Sequence, residues 1–395
     1  MPATVQRIGF FLGAILFAAW VFTSETYAEM YLHSRFALFN LAGLVGFAAL
    51  LGAMLWRQCH RNGKLHWGWF LALALVVVAL FAVVYPLAQT KPDRDDSGQA
   101  LSLATSALLH GHYPYYARTY QGDPITPMPG CLLLAAPFQA LGIAGLQNLF
   151  WWAMLILFAR RYFKQRSTAF AFLLAMLANA HITMNLITAA DYPTNCIYLA
   201  IASALFLSSA PEPRRWPFAA SCLLLGVAFS SRPTYLLVLP ILLCAFLRQR
   251  EGWLSALLKT AAPLAVTAAV TLPFYLYDRA GFSPLHLTHK FKFLPPEAQQ
   301  PLMLALMLAA ILTACTGFFL RLDLPRLYLI AAIAFGLMLG TPGLIYGVIE
   351  GFGHYSLLMM AYAETAYILL ALWAFRRLEA HCAGEEDLSS SILVP

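Results

Sequence analysis

Directly after an apolar run that ends near residue 88, the chain reads Lys91-Pro92-Asp93-Arg94-Asp95-Asp96-Ser97-Gly98-Gln99. Crowded carboxylates at a membrane surface disfavour one another's ionised form, which is the environment in which a carboxylate can act as a general base near neutral pH. The same residues also read as a helix start, with Asp96 or Ser97 as the N-cap and the acids favouring the positive end of the helix that follows. Taken alone, the cap is the commoner use of such a sequence, and the two uses are compatible. Acidic oxygens so grouped could also hold a hard divalent cation, but the spacing of Asp93, Asp95 and Asp96 matches no dedicated metal loop. No metal is predicted and no cofactor is required.

Cations that could meet an anion near these acids are Arg118, Arg232, Arg279, Lys290 and Lys292, with His286, His289 and His354 as hydrogen-bond donors. Arg232 stands in Ser231-Arg232-Pro233-Thr234-Tyr235, a break between two apolar runs, where a guanidinium can grip a phosphate with two parallel hydrogen bonds. The competing expectation is an arginine that snorkels to lipid headgroups. The stretch from His286 to Pro296 interleaves bases with aromatics, a composition that suits a lid over a lipid phosphate or an ordinary contact with anionic lipid. Asp191, Tyr192, Glu350 and His354 could line the same cavity, though each is more often a plain loop residue.

The elements that must position these groups are apolar. Of 395 residues, 61% are hydrophobic and 11% charged, against about 25% charged in a soluble domain. Apolar runs fall at about 7–23, 36–56, 67–88, 145–160, 168–189, 192–209, 217–231, 234–247, 254–275, 302–320, 326–345 and 355–375. At ~20 residues per span they predict an all-α polytopic membrane protein of about 12 transmembrane helices, a single integral membrane domain over 1–395. Basic clusters at Arg57–Lys64, Arg160–Arg166 and Arg376–Arg377 fall on one side of that threading, which is the cytoplasmic side by charge bias. Two longer loops, 89–144 and 276–300, then share the outer side. The first run also fits a cleaved signal peptide; we expect it to be retained. Residues 378–395 read as a disordered cytoplasmic tail.

The net charge of +7 is spread over loop clusters, so it is a topology signal and points to no nucleic acid. The seven cysteines are scattered, which predicts neither a disulfide framework nor a cysteine-held metal. Within the first long loop, residues 98–110 place Gln99, Ser102, Thr105, Ser106 and His110 on one side of a helix. Ala100, Leu103, Ala104, Ala107 and Leu108 fall on the other, so the helix should lie along the membrane. It ends at His110-Gly111-His112-Tyr113-Pro114-Tyr115-Tyr116, and a second short helix opens at Pro127-Met128-Pro129.

An acidic pair just after a membrane helix, a surface helix closed by Gly111-x-x-Pro114-Tyr115, and Pro127-x-Pro129 opening an apolar segment resemble the first outer loop of GT-C glycosyltransferases. These are polytopic enzymes that take a sugar from a polyprenyl-phosphate donor, among them the bacterial lipid-linked mannosyl- and arabinosyltransferases. The break at Ser231–Tyr235 is similar to one they carry. The resemblance is sharp over 93–137, weak over 217–245 and compositional elsewhere, and three spans precede the acidic loop here where many relatives have one.

The resemblance implies inverting transfer to an acceptor hydroxyl of a lipid or glycan, at the periplasmic face of a bacterial inner membrane. An Asp of the pair serves as base. Counting back from Gly111 gives Asp96, reading the pair by its first member gives Asp95, and both stay open. The donor phosphate would fall to Arg232, Lys290, His289 and Arg118, and the substrate loop would hold Asp93, His112, Tyr113 and Tyr115. A lipid or glycan transporter is the alternative; it would need charged groups deep in several spans, or broken helices. An acyltransferase has one faint candidate, His181 with Asn179 and Asn185, which we read as a helix-packing cluster.

Overall fold

The computed structural model describes residues 65–89, 96–210, 215–248, 252–285, 294–319, 323–350 and 363–382. All regular structure among them is helical, apart from one isolated bridge between Arg118 and Pro124. The first helix among the described residues is α1 (Trp67–Gln89), followed by two short helices of the acidic loop, α2 (Ser97–Leu109) and α3 (Pro129–Ala140). It then passes through α4 (Leu146–Tyr162), α5 (Arg166–Ala178), α6 (Ala180–Thr188) and α7 (Tyr192–Ser209). Next come α8 (Arg215–Phe229), a 3₁₀ turn at Pro233–Leu237, α9 (Val238–Arg248) and α10 (Trp253–Tyr277). The last are α11 (Pro296–Cys315), α12 (Leu324–Phe335), α13 (Thr341–Glu350) and α14 (Glu364–Cys382).

Four helical stretches among the described residues are long and apolar enough to cross a membrane: Trp67–Leu87, Trp253–Tyr277, Gln299–Phe318 and Leu324–Ile349. The last joins α12 to α13 through a π-helical turn at Gly336–Gly340. Trp69, Leu71, Leu75, Val83 and Leu87 of α1 are exposed, as are Leu254, Leu258 and Leu276 of α10. Such apolar surface on helices of spanning length suggests a membrane protein.

Several expectations change. The runs 7–23 and 36–56 lie outside the described residues. The run 168–189 is not one continuous helix, because α5 and α6 meet at an angle of 80°. The break has a local cause: Asn179 leaves the helical region at φ −71°, ψ 110°, and its side chain accepts a hydrogen bond from the Ile182 amide at 3.2 Å, starting a new helix. At the other end, residues 378–382 are not a tail; α14 runs to Cys382, and 383–395 lie outside the described residues. Glu379 holds it there, ion-paired with Arg376 and accepting the amides of Lys164 at 3.1 Å and Gln165 at 2.5 Å. The last helix is thereby clamped to the α4–α5 turn.

A large apolar core runs through α4, α5, α7, α8, α9, α12 and α14, with Trp152, Tyr198 and Tyr328 fully buried. A second, smaller core gathers Ala100, Leu101 and Ala104 of α2, Tyr115, Ile125 and Met128 of the loop, Cys131, Leu132 and Ala135 of α3, and Phe282. The loop 96–140 therefore folds on an apolar core of its own. The face of α2 that packs differs from the expected one: Leu101 and Thr105 are buried with Ala100 and Ala104, while Leu103, Ala107 and Leu108 are half-buried. The neighbour is α3 on one side, so the buried stripe follows that contact and not the apolar residues alone.

Candidate functional site

The acidic-loop module is fastened to the rest of the structure by several hydrogen bonds. Where α3 begins, the Gly130 amide donates to the Ser230 carbonyl at 3.0 Å and its hydroxyl oxygen at 3.1 Å. A Cβ at Gly130 would lie 2.1 Å from the Val227 carbonyl oxygen, so only glycine lets α3 meet the end of α8 this closely. The Ser283 hydroxyl donates to the Ile125 carbonyl at 2.5 Å. Tyr113 donates to the carbonyls of Phe274 at 3.0 Å and Asp278 at 3.2 Å, at the end of α10.

Asp96 stands at the N-cap of α2, yet its side chain makes no capping hydrogen bond. Its backbone sits at φ −97°, ψ 1°, outside the extended region from which a cap side chain reaches the second and third amides. The carboxylate turns instead to the loop, where Oδ2 accepts the Thr119 hydroxyl at 2.5 Å. Thr119 is itself held by a tight turn: its amide donates to the Asp123 carbonyl at 3.1 Å, its hydroxyl oxygen accepts the Asp123 amide at 3.2 Å, and its carbonyl accepts Gly122 at 2.8 Å. One residue on, the Tyr120 amide donates to Gln99 Oε1 at 2.8 Å. Asp96 is half-buried and accepts one hydroxyl among the described residues, whereas a carboxylate offers about four lone-pair sites. Thr119 was not singled out from sequence, because a hydroxyl more than twenty residues away carries no local signal.

The second acid is Asp191, fully buried at the start of α7. Arg232 Nη2 contacts both of its oxygens, at 2.8 and 2.7 Å. Asn195 Nδ2 adds a bond at 2.8 Å and the Cys131 thiol one at 3.2 Å; Tyr198 in turn donates to Asn195 Oδ1 at 2.7 Å. The Arg232 guanidinium also lies 4.6 Å from the centre of the Tyr192 ring. One network thus ties α3, α7 and the break after α8. Arg232 is neither snorkelling nor an open cation; it is the partner of Asp191.

The turn before Asp191 is built with strain. Ala189 takes φ 72°, a left-handed position that costs a non-glycine residue roughly 1–2 kcal/mol. Asn148 of α4 compensates, its Nδ2 facing the carbonyls of Asn185, Leu186 and Ala190 at 3.1, 3.3 and 2.8 Å, while Thr194 donates to its Oδ1 at 2.7 Å. A Cβ at Gly98 would lie 3.2 Å from the Thr188 carbonyl oxygen. The first turn of α2, just after Asp96, therefore rests on the turn that leads to Asp191.

The remaining expected residues scatter. Arg118 and His112 are exposed, Tyr113 anchors the loop to α10, and Tyr115 is 2% exposed in the small core, its hydroxyl without a hydrogen-bond partner among the described residues. Asp93, Asp95, His289, Lys290, His286 and His354 lie outside the described residues. No group of three or more His, Cys, Asp or Glu side chains converges to hold a metal ion among the described residues. His181, Asn185 and Glu364 form a buried polar cluster at 3.1 Å contacts where α6 meets α14. Comparison with protein-family models, curated proteins and solved structures finds no match to this chain.

Proposed function

We propose that the chain is a membrane glycosyltransferase of the GT-C kind, moving a sugar from a polyprenyl-phosphate donor to an acceptor hydroxyl, with Asp96 as general base. The observation that carries this reading is the state of Asp96: a carboxylate at a helix start that does not cap the helix, is oriented by Thr119, and accepts a single hydroxyl among the described residues, at the edge of a docked loop. A base must take the acceptor's proton as the hydroxyl attacks the anomeric carbon, and an oriented, half-buried carboxylate fits that task. The departing phosphate needs positive charge nearby. Arg232 is committed to Asp191, which leaves Arg118, Lys290 and His289 as the groups assigned to it. The active site would face the exterior in a fold of about 12 spans, with the lipid tail of the donor in the bilayer.

The test is transfer of labelled sugar from a polyprenyl-phosphate donor by purified protein, wild type against Asp96→Asn. Loss of transfer with donor binding retained supports the reading; normal turnover removes it. A transporter is the second reading, favoured by the broken α5–α6 pair and the buried His181–Glu364 contact beside it, since broken helices and buried ionisable groups mark substrate paths. It predicts donor-independent lipid or glycan movement across proteoliposomes, lost in Glu364→Gln and indifferent to Asp96→Asn.

A further inference from the structure

Beside the Tyr113 anchor, aromatic rings gather around one carboxylate at the surface. Tyr113 lies against Tyr277 with ring centres 5.0 Å apart and planes inclined by 30°, and against Tyr116 at 4.7 Å. Tyr116 and Tyr277 are 60% and 72% exposed, so their outer faces are open. Asp278 accepts the Gly281 amide at 2.9 Å and the Tyr116 hydroxyl, and a Cβ at Gly281 would lie 2.4 Å from its Oδ2 and 3.1 Å from the Tyr116 ring. The glycine thus lets acid and ring close on each other. We propose that Tyr113, Tyr116, Tyr277 and Asp278 form a docking platform for a neutral carbohydrate, the acceptor glycan, an assignment that rests on the function proposed above.

Sugar rings present apolar C–H faces and hydroxyl donors together, and open tyrosine faces beside an acceptor-only carboxylate meet both needs. The Gly281 amide and then the Tyr116 hydroxyl hold the Asp278 carboxyl below its usual range, so it stays an acceptor at neutral pH. A fixed negative charge repels an anionic lipid headgroup, which argues against a plain interfacial anchor. The neighbouring Arg279 faces the Tyr275 ring at 5.8 Å. Tyr116 is three residues from Thr119, a backbone reach of at most about 11 Å, and Thr119 holds the Asp96 carboxylate. An oligosaccharide on the platform can therefore extend its end toward the proposed base.

The experiment titrates purified full-length protein with neutral tetrasaccharides built from hexose units and from pentose units, read by intrinsic fluorescence and calorimetry. Saturable binding of at least one probe is expected, weakened more than tenfold in Tyr116→Ala and Asp278→Asn, with Tyr116→Phe closer to wild type because stacking survives. Circular dichroism and gel filtration confirm that each variant is folded. Wild-type protein that binds neither probe, or binding unchanged in folded variants, overturns the platform. Asp96→Asn separates the two proposals: it should bind the probe normally while failing to transfer. Sugar transfer that persists in platform variants without sugar binding would sink the platform and leave the glycosyltransferase reading standing.

Discussion

Asp96 and Asp191 occupy equivalent places, each at the N-cap of its helix, with backbone angles of −97° and 1° for one and −91° and −8° for the other. Neither caps. Asp323, at φ −107° and ψ 170°, does, accepting the Arg326 amide at 2.8 Å. With ψ near zero the side chain is aimed away from the first helical amides and becomes available to the rest of the molecule. From that shared start the two acids part. Asp191 is fully buried and saturated by Arg232, Asn195 and Cys131, whereas Asp96 is half-buried with one hydroxyl donor among the described residues. A saturated buried acid cross-links helices; an oriented acid with lone pairs to spare can take a proton.

The largest effect that could break this contrast is on stability. Asp191→Ala or Arg232→Ala leaves an uncompensated buried charge, with an expected loss of about 3–5 kcal/mol in thermal unfolding of the detergent-solubilised protein. Replacing both partners together should cost less than the two single changes summed. Asp96→Ala should stay within about 0.5 kcal/mol of wild type. Equal losses at the two acids would erase the distinction.

Next comes the docking of the loop. Gly130→Val drives a side chain against the Val227 carbonyl and should cost about 1–3 kcal/mol while lowering transfer, because the module that carries Asp96 must move off α8. Proteolytic cleavage within 110–128, faster than in wild type, is the readout. Unchanged cleavage would mean that the loop is not held there.

Thr119→Val removes the hydroxyl that orients Asp96 without removing the acid. The expected result is a drop in kcat of about tenfold, the equivalent of ~1.4 kcal/mol, at unchanged KM. Thr119→Ser should restore most of it. A change confined to KM would make Thr119 a substrate contact and not a positioning residue.

The smallest effect concerns pH. Asp278 is held below its usual carboxylate range chiefly by the Gly281 amide, then by Tyr116, so its contribution is present above the unfolded carboxylate pKa and is lost as pH falls through the depressed folded value. Burial first, and then the Asp278 charge, push the Tyr113 hydroxyl up to about 12, so that group stays protonated throughout. Tyrosine fluorescence should be flat from pH 7 to pH 5 and change only in more acidic solution, with the change absent in Asp278→Asn.

Sequence carried the local features and missed the distant ones. The apolar run at 192–209 coincides with helix α7, and the prolines at 127 and 129 mark where α3 opens. The break at Asn179 was hidden because neither glycine nor proline marks it; an asparagine cap inside an apolar run looks like any polar residue in a span. The residues 378–382 read as tail on composition, yet Glu379 finds backbone amides some 214 positions back along the chain. Arg232 was legible as a residue of consequence from its place in a break. Its partner was not, since 41 residues separate it from Asp191 and only packing brings the pair together.

The central claim is that Asp96 is the base and Asp191 is not. The direct measurement is single-turnover transfer from a polyprenyl-phosphate sugar by Asp96→Asn, beside a donor-binding measurement on the same protein. Asparagine keeps the size and the contact with Thr119 but cannot accept a proton, so the account predicts a fall in the rate of transfer of about 10²–10⁴-fold with donor affinity and thermal stability retained. Transfer at the wild-type rate in folded, donor-binding Asp96→Asn would contradict it.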